Sequence, residues 1–411
     1  MSIETRESGR VQTTIPEQDV QPQVSRGWTA AYTVAGTGMW LAFLTPAQVQ
    51  LARQSEVFAP GDKTALLGLA TGLGAAVTAV AVPVLGALSD RTRSRYGRRR
   101  PWVLGGVLVA AAGLLWLATA SSATTMVAGW VVAQLGLAGV QAALVSTIPD
   151  RVPRPQLGVV AGWAGLTQML GALLGTVLVN RIVVDLAAGY VACAVLAIAS
   201  MVPFLLAHKE TGAERVVAAK RERVRFSPDL AWAWGSRFLV MLAFALITQY
   251  LVYYLQDELR VADVQRSVLT VTAVTVLCAM LAALTVGRWS DRVGRRRVFV
   301  AAGALLMGLG SLAMAIAPVW PVALGAAAIV GLGFGTFLAV DLAVVASVLP
   351  SAADTGRDLG VFAIAAAAPQ ILAPALAVPV LAVAGYAGLY LLTGAVTIIG
   401  GALVMRIRSV S

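Results

Sequence analysis

The stretch Gly86–Pro101, GALSDRTRSRYGRRRP, lies between two long apolar runs, and a shorter version returns as Gly287–Val298, GRWSDRVGRRRV, again between apolar runs. Both copies keep a glycine, then Ser-Asp-Arg, then Gly-Arg-Arg-Arg, and their Ser-Asp-Arg triplets stand 201 residues apart. The same offset takes Pro149 to Pro350. A repeat that persists across such distant landmarks predicts a chain built of two duplicated halves.

The composition places the chain in a lipid bilayer. Apolar residues make up 58% of the 411 positions and charged residues only 12%, whereas a soluble domain carries about 25% charged residues. Several apolar runs are long enough to cross a membrane. Because lipid offers no partner for unpaired backbone groups and the runs show no strand-like alternation, the expected class is an all-α membrane protein.

The apolar runs predict twelve transmembrane helices arranged as two pseudo-symmetric six-helix halves. The polar segment 207–230 separates them, so we expect a disordered cytoplasmic tail at 1–26, an N-terminal bundle at 27–206, a basic cytoplasmic linker at 207–230, a C-terminal bundle at 231–406 and a second tail at 407–411. The predicted spans are 27–50, 64–88, 101–121, 124–148, 156–179, 185–206, 231–255, 266–288, 298–317, 319–349, 357–383 and 386–406.

The basic residues predict the orientation of these spans. Of the 31 Lys and Arg residues, 26 fall on one side of the predicted membrane, and the other five are Arg53, Lys63, Arg181, Arg260 and Arg266. Basic loops favour the cytoplasm, so we expect a multi-pass plasma-membrane protein with both termini cytoplasmic. Those loops can contact anionic lipid headgroups. Since the spans divide them, the formal charge of +11 does not indicate a nucleic-acid partner.

The two loop copies place a carboxylate, Asp90 or Asp291, at the predicted cytoplasmic end of a helix. There it can meet the N-terminus of a neighbouring helix and the loop arginines. Such contacts would hold while the helix bundles are closed on that side and break when they part; the alternative is headgroup anchoring alone. The gating motif comprises Gly86, Asp90, Arg91, Gly97, Arg98, Arg99, Gly287, Asp291, Arg292, Gly294 and Arg295.

These two stretches resemble the loop motif of the major facilitator superfamily, G-x-L-x-D-r-x-G-R-[RK], and the resemblance covers residues 27–406. The first copy holds four extra residues between Asp90 and Gly97, a form similar to that of the glycoside–pentoside–hexuronide symporters and the sucrose transporters. The resemblance implies alternating access of two six-helix halves around a central site, often coupled to an ion, usually H⁺.

Two departures from related patterns bear on direction and coupling. The fifth span reads GLTQMLGALLGTVL and lacks the proline of the G-P-x-x-G-G element that proton-coupled drug exporters carry. The first span holds no acidic residue, although sugar symporters often place a proton-carrying carboxylate there. The first departure argues against export, and the second leaves the coupling ion open.

Asp341 is the acid that lies deepest within a predicted span, nine residues before Pro350, or about 13 Å at the helical rise. An ionisable residue at that depth is a functional candidate, so Asp341 is the candidate for ion coupling. The alternative is a structural ion pair with Arg288 or Arg357. A further basic residue, Arg237, stands near the predicted cytoplasmic end of the seventh span, where its side chain can snorkel.

Several polar and aromatic side chains within the spans are candidates for a solute cavity. In the seventh span, Gln249, Tyr250 and Tyr253 suit stacking on a sugar ring and hydrogen bonding to it, although an aromatic belt at the interface is the competing interpretation. Gln168 and its repeat partner Gln370 suit either the cavity or a helix-to-helix bond. The cavity candidates are Trp40, Gln141, Gln168, Gln249, Tyr250, Tyr253 and Gln370.

These observations predict a secondary active transporter of a small polar organic solute, with a sugar or glycoside as the first choice and H⁺ as the coupling ion. The chain has no G-x-x-x-x-G-K-[ST] nucleotide site, and we expect no enzyme activity, no cofactor, no metal and a monomeric state. An exporter of an antibiotic or amphiphilic metabolite and a non-transporting solute receptor remain as alternatives. The identity of the solute and the direction of transport stay open.

Overall fold

The computed structural model describes residues 23–153, 156–208, 228–348 and 355–407, which form the predicted all-α fold. Most of the predicted tails and of the linker 207–230 lies outside these ranges. We number as α11 and α12 the two parts of the run Thr355–Val404, which the non-helical residue Gly385 interrupts. The preceding helices are α1 (Arg26–Thr45), α2 (Lys63–Arg91), α3 (Arg100–Ala118), α4 (Ala123–Arg151), α5 (Leu157–Val177), α6 (Leu186–Ala207), α7 (Pro228–Gln249), α8 (Val264–Val293), α9 (Arg296–Ile316) and α10 (Trp320–Val348).

Three helices continue beyond these bounds through π-helical turns. α1 runs on through the π-turn Pro46–Gln50 and a further α-helix, Leu51–Phe58. α5 ends in the π-turn Leu178–Ile182, and α7 continues through Leu251–Tyr253 into the π-turn Tyr254–Glu258. The first helical segment therefore continues beyond residue 50, the predicted end of the first span. A π-turn cannot be recognised from the spacing of apolar residues, so this continuation was not predicted.

By length and composition, ten helices within the described ranges can cross a membrane. This count leaves out α1 and takes Ala368–Val404, which joins part of α11 to α12, as one span.

Polar side chains set the start of several helices. Ser25, Asp185 and Asp263 each accept a hydrogen bond from a backbone N–H three residues further on. Ser122 forms a reciprocal capping box with Thr125 at the start of α4. These caps satisfy backbone donors that a helix leaves free at its first turn.

The helices pack as two groups of six, which we call the first half (α1–α6) and the second half (α7–α12). In the first half, α1 packs on α5 and α6, α2 packs on α4, and α3 packs on α4 and α6. In the second half, α8 packs on α10, and α9 packs on α10 and on the last helical run. The halves meet where α2 contacts that last run and where α5 contacts α8.

A glycine contact between the third and fourth helices occurs in both halves. Gly106 of α3 faces Gly136 of α4, and a Cβ added at Gly106 would lie 2.8 Å from the Gly136 carbonyl oxygen. Gly303 of α9 faces Gly333 of α10, and the corresponding distance is 2.7 Å. Each glycine of the second pair lies 197 residues after its counterpart in the first pair. This offset is four less than 201, as expected from the four extra residues in the first loop. The absence of side chains lets these backbones approach closely.

The last two helices fold back on each other at Gly385, whose φ of 60° suits glycine. Just beyond it, Tyr386 reaches Asp257 at the end of α7. The chain then returns, and the Ile407 carbonyl accepts a hydrogen bond from Arg297 at the start of α9. We call the end of the bundle that holds the two repeated loops the motif end, and the end with Asp257 the opposite end.

Candidate functional site: a cavity between the halves and its two ends

At the motif end, the first loop folds back onto the ends of the helices that flank it. Gly97 makes the turn with a φ of 100°, a conformation that favours glycine. Arg99, only 4% exposed, places its Nη2 2.6 Å from Asp90 Oδ1 and donates from Nη1 to Ser89 Oγ at 3.0 Å. The loop arginine thus ties the start of α3 to the end of α2.

A second carboxylate, Asp150 at the end of α4, completes this cluster. Its Oδ2 accepts from Arg98 Nη2 at 2.7 Å and from Arg99 Nε at 3.0 Å. Sequence reasoning missed Asp150, although an acid directly after Pro149, beside a strongly basic loop, was a usable signal. Because one carboxylate receives two guanidinium groups, α4 is also tied to the loop.

The third arginine of each loop makes an equivalent contact in both halves. Arg100 donates to the Leu205 carbonyl at 2.5 Å, and Arg297 donates to the Ile407 carbonyl at 2.6 Å. Each bond joins the start of the third helix of a half to the end of its sixth.

The remaining motif residues are placed as follows. Gly294 makes the turn of the second loop with a φ of 70°. Arg91, Arg292 and Arg295 are exposed, and the side chain of Asp291 lies outside the described part of the structure. Gly86 and Gly287 lie within α2 and α8, facing Ala142 and Ala339 at ordinary contact distance.

Asp341, 7% exposed, forms an ion pair with Arg237 of α7. Among the described residues the partner of Asp341 is thus Arg237, while the side chains of Arg288 and Arg357, the two partners expected from the sequence, lie outside the described part of the structure. The Nε of Arg237 is buried and has no hydrogen-bond partner among the described residues. A buried ion pair at this depth is the main charged feature of the second half's interior.

An aromatic stack lies between this ion pair and the middle of the bundle. The rings of Phe244 and Phe334 are parallel, with centroids 3.7 Å apart. Phe244 follows Arg237 by seven residues along α7, and Phe334 precedes Asp341 by seven along α10, which is about 10 Å at the helical rise. The ion pair therefore lies nearer the motif end than the stack.

On the other side of the stack, a cavity opens between the two halves. α1 and α5 line it from the first half, and α7, α8, α9 and α10 line it from the second. Its wall is mainly apolar, with Phe244, Leu251 and Met314 among the lining residues. The polar lining residues are Gln48, Gln168, Thr248, Thr272 and Thr275.

The structure separates the predicted cavity residues into different places. Gln168 lines the cavity. Gln249 instead donates from Nε2 to Gln370 Oε1 at 3.1 Å, which joins α7 to α11. Trp40 and Gln141 are half-buried outside the lining, and the Trp40 ring meets Phe43 edge-on.

The two tyrosines of the predicted set lie deep in the protein and outside the lining of this cavity. Tyr250 is 1% exposed, and its hydroxyl lies close to Gly68 of α2 without a hydrogen-bond partner among the described residues. The hydroxyl of Tyr253 donates to the Ala52 carbonyl of α1 at 2.8 Å. Both tyrosines thus contribute to the contact between the halves.

At the opposite end, polar contacts hold the halves together. Lys63 Nζ at the start of α2 lies 2.8 Å from Asp257 Oδ1 and 3.6 Å from Glu56 Oε1. Gln256 Nε2 donates to Glu56 Oε1 at 2.5 Å. We call Glu56, Lys63, Tyr253, Gln256 and Asp257 the closing network, because it contains every interhalf hydrogen bond and ion pair seen between described residues.

Known proteins similar in sequence are transporters. The chain is 41% identical to probable polyol transporter 6 of Arabidopsis thaliana over 87 residues, 21% of this chain and 17% of that protein. It is 38% identical to lactose permease of Lactobacillus helveticus over 96 residues, 23% of this chain and 14% of that one. An uncharacterised symporter of Synechocystis is 50% identical over 48 residues, 12% of this chain and 9% of the symporter. The chain thus spans less than a fifth of each of these relatives.

Solved structures extend the likeness to the whole fold. A bacterial homologue of the human lysosomal transporter Spinster, inward-facing and occupied, matches with a TM-score of 0.77 at 13% identity, covering 94% of this chain and 98% of that one. A POT family transporter in complex with a thioalcohol-conjugated peptide matches with a TM-score of 0.74 at 13% identity, covering 92% and 95%.

The Major Facilitator Superfamily model matches residues 28–277 and 233–411. The resemblance seen in the two loops and the twelve-helix fold are thus supported independently, and both point to membrane transport rather than to an enzyme. The chain belongs to the Major Facilitator Superfamily.

Proposed function

We propose that the protein is a secondary active transporter that moves a small polyhydroxylated solute, a sugar, polyol or glycoside, by alternating access coupled to H⁺. The observation that carries this proposal is the cavity, which both halves line and which lies between two ends, one of them held by the contacts of the closing network between the halves. Alternating access needs such a site between two bodies that part at one end at a time.

Two observations support the solute class. Relatives include a probable polyol transporter and a lactose permease, both of which bear names of hydroxyl-rich solutes. The cavity offers the amides Gln48 and Gln168 and three threonine hydroxyls, which can hydrogen-bond hydroxyl groups while the apolar wall packs against the faces of a ring.

We assign H⁺ coupling to Asp341, with Arg237 as its charge partner. A protonated Asp341 no longer pairs with the guanidinium, so proton binding and a rearrangement of α7 against α10 become linked. If so, Asp341→Asn mimics the protonated carboxyl, and exchange of solute across the membrane survives while gradient-driven accumulation fails. Parallel loss of both activities would instead assign the pair a purely structural role.

Uptake by the purified protein in sealed vesicles tests the function directly. Vesicles are given a panel of radiolabelled polyols, monosaccharides and lactose, with and without an imposed pH gradient. We expect at least one of these solutes to accumulate with the gradient, and a protonophore to abolish the accumulation. Absence of uptake for the whole panel, with folded protein in the vesicles, would contradict the proposal.

The apolar wall of the cavity favours a second candidate, an exporter of an amphiphilic metabolite. Such a solute would bury its apolar part against Phe244, Leu251 and Met314. Inside-out vesicles distinguish the two: an exporter loads an amphiphilic dye and ignores polyols. A solute receptor on the same fold would bind its solute in either preparation without moving it.

We further propose that the motif end is cytoplasmic, in a plasma membrane, with 27–206 and 231–406 as the two bundles and both termini inside. The support is the distribution of basic residues. Single cysteines replacing Ser2, Arg215 or Ser411 are expected to react with an impermeant maleimide only after permeabilisation, whereas one at Arg260 reacts in intact cells. Reaction at position 215 in intact cells would overturn this topology.

A further inference from the structure

A second, more polar pocket lies at the opposite end and adjoins the central cavity, with which it shares the lining residues Val49 and Val268. Its volume is about 220 Å³, and α1, α5, α7 and α8 or their extensions bound it. Its polar lining residues are Arg53, Glu56, Asn180, Gln256 and Gln265. The first three belong to the first half and the other two to the second, so the pocket bridges the halves.

All three π-helical turns of the described chain meet at this pocket. Val49 lies in the turn Pro46–Gln50, Asn180 in Leu178–Ile182 and Gln256 in Tyr254–Glu258, and each of these residues lines the pocket. π-turns are rare and occur frequently at functional sites. Three π-turns from separate helices therefore surround this one pocket, where the backbone departs from the regular α-helix.

Two buried polar atoms of the lining residues have no partner among the described residues: Asn180 Oδ1 and Arg53 Nη1. Asn180 is 4% exposed, and its amide nitrogen already donates to the Thr176 carbonyl. Arg53 donates from Nη2 to the Val184 carbonyl at 3.0 Å, and its Nη1 remains without a hydrogen-bond partner among the described residues. A buried polar atom without a partner costs free energy.

The geometry points to a second binding site, in which this pocket takes a small polyhydroxylated solute. A hydroxyl group both donates and accepts, so neighbouring hydroxyls can satisfy the Asn180 carbonyl oxygen and the Arg53 guanidinium together. The volume is below the roughly 300–1,000 Å³ of sites for drug-sized ligands, which suits a monosaccharide or a polyol. The choice of this ligand class rests on the proposed function.

The position of the pocket gives its occupant a role in transport. A bound solute would contact Arg53 and Asn180 on one side and Gln256 and Gln265 on the other, next to the closing network. It would therefore bind better when this end is closed, and such a ligand shifts the equilibrium towards the closed state. Solute at the opposite end is expected to slow transport at concentrations above those that saturate the central cavity.

Protection of a single cysteine tests the site. The full-length protein carrying Gln265→Cys, with Cys193 and Cys278 replaced by alanine, is reconstituted into vesicles and labelled with an impermeant maleimide. D-sorbitol, D-mannitol and D-glucose are the probes. We expect at least one to slow labelling at least fivefold, and none to slow labelling of Asp62→Cys, an exposed control on the same end.

Two further variants identify the binding groups. Asn180→Leu is expected to abolish the protection, and Gln168→Ala, in the central cavity, is expected to leave it unchanged. Arg53→Gln serves as a second pocket variant should Asn180→Leu misfold. Protection that survives both pocket variants, or that Gln168→Ala removes, would overturn the site.

The labelling readout separates this proposal from the transport function. Protection without uptake would mean that the site stands and the transport proposal fails. Uptake of a probe that gives no protection would mean that the transport proposal stands and that the second binding site fails.

Discussion

At the scale of single residues, the charges in the interior and at the motif end differ in what they hold together. Asp341 and Arg237 pair with each other within the second half. Removing either charge therefore leaves the other unpaired in a poorly solvated environment. Asp90 has an exposed side chain and a guanidinium that it shares with Asp150. Exposed ion pairs contribute little because solvent screens them.

A purely structural ion pair predicts that Asp341→Asn destabilises the protein by about 3–5 kcal/mol, because the change leaves the Arg237 cation unpaired, whereas the coupling role predicts a folded variant that still exchanges solute. Adding Arg237→Gln should restore most of the loss, since no uncompensated charge then remains. Thermal unfolding in detergent measures both effects. Asp62→Asn, which removes the same charge from an exposed position, is the matched control and should unfold as wild type does. A double variant no more stable than Asp341→Asn would contradict the pairing.

At the motif end, we expect Asp90→Asn to slow transport much more than it weakens solute binding, since it loosens a contact between helix ends far from the cavity. Asp150→Asn should have the larger effect, about tenfold in rate or ~1.4 kcal/mol, because it weakens the one carboxylate that both Arg98 and Arg99 contact. Asp291→Asn should act in the same direction as Asp90→Asn but less strongly. Exchange rates and equilibrium binding, measured on one preparation, give the comparison. Normal turnover in Asp90→Asn would leave the motif as a headgroup anchor.

At the scale of elements, glycine contacts fix how closely helices lie. A methyl group at Gly136 would overlap the backbone nitrogen of Ala110 on α3, and one at Gly333 would overlap the Gly303 carbonyl on α9. Neither neighbour is a flexible side chain that could turn aside. Since backbone atoms are the obstacle, a whole helix has to move to admit the methyl group.

Gly136→Ala and Gly333→Ala should each therefore lower stability, by about 1–3 kcal/mol as expected for overpacking. Gly105→Ala and Gly325→Ala are the controls, because their added methyl groups meet open space in α3 and α10. These controls should match or slightly exceed the wild type, since alanine favours a helix over glycine. The melting temperatures of the four variants test this prediction. An equal decrease in melting temperature in all four would contradict the close backbone contact.

At the scale of the whole molecule, polar contacts join the halves at the opposite end. Lys63 and Asp257 come from α2 and from the extension of α7, so their ion pair spans the boundary. For a protein that works by alternating access, this end has to open in every cycle. A covalent bond across it should therefore stop the cycle while leaving the fold intact.

We expect Lys63→Cys and Asp257→Cys, joined by a short reducible methanethiosulfonate cross-linker, to lose solute uptake and to regain it after reduction. Solute binding from the motif end should persist in the cross-linked protein, because alternating access lets that end open while the opposite end is held closed. Each single variant treated with the same reagent is the control. Uptake that continues at the wild-type rate with the cross-link formed would show that this end does not open during transport.

Much of the architecture could be predicted from residue patterns because it depends on apolar length and on the repeat. The break between the last two spans, placed at 383–386, agrees with the turn at Gly385. The π-turns of α1, α5 and α7 could not be predicted, since one extra residue in a turn does not alter an apolar run enough to be noticed.

The site was less predictable, because partners come from distant parts of the chain. Asp341 stood out as a deep acid, but its partner Arg237 lies 104 residues away on α7. Gln168 and Gln370 look equivalent in the repeat, yet one lines the cavity and the other bonds to Gln249. Equivalent positions diverge because the two halves place different side chains around them.

The first repeated loop also shows which part of it is free to change. Both ends of this loop are fastened, through Asp90 to Arg99 and through Arg100 to the Leu205 carbonyl. In the extra length between them, Ser94, Arg95 and Tyr96 form hydrogen bonds and a ring contact with one another. This segment is thus a spacer, able to gain or lose residues after the duplication without disturbing either attachment. For the protein engineer, it is the natural splice point for an epitope or a fluorescent reporter.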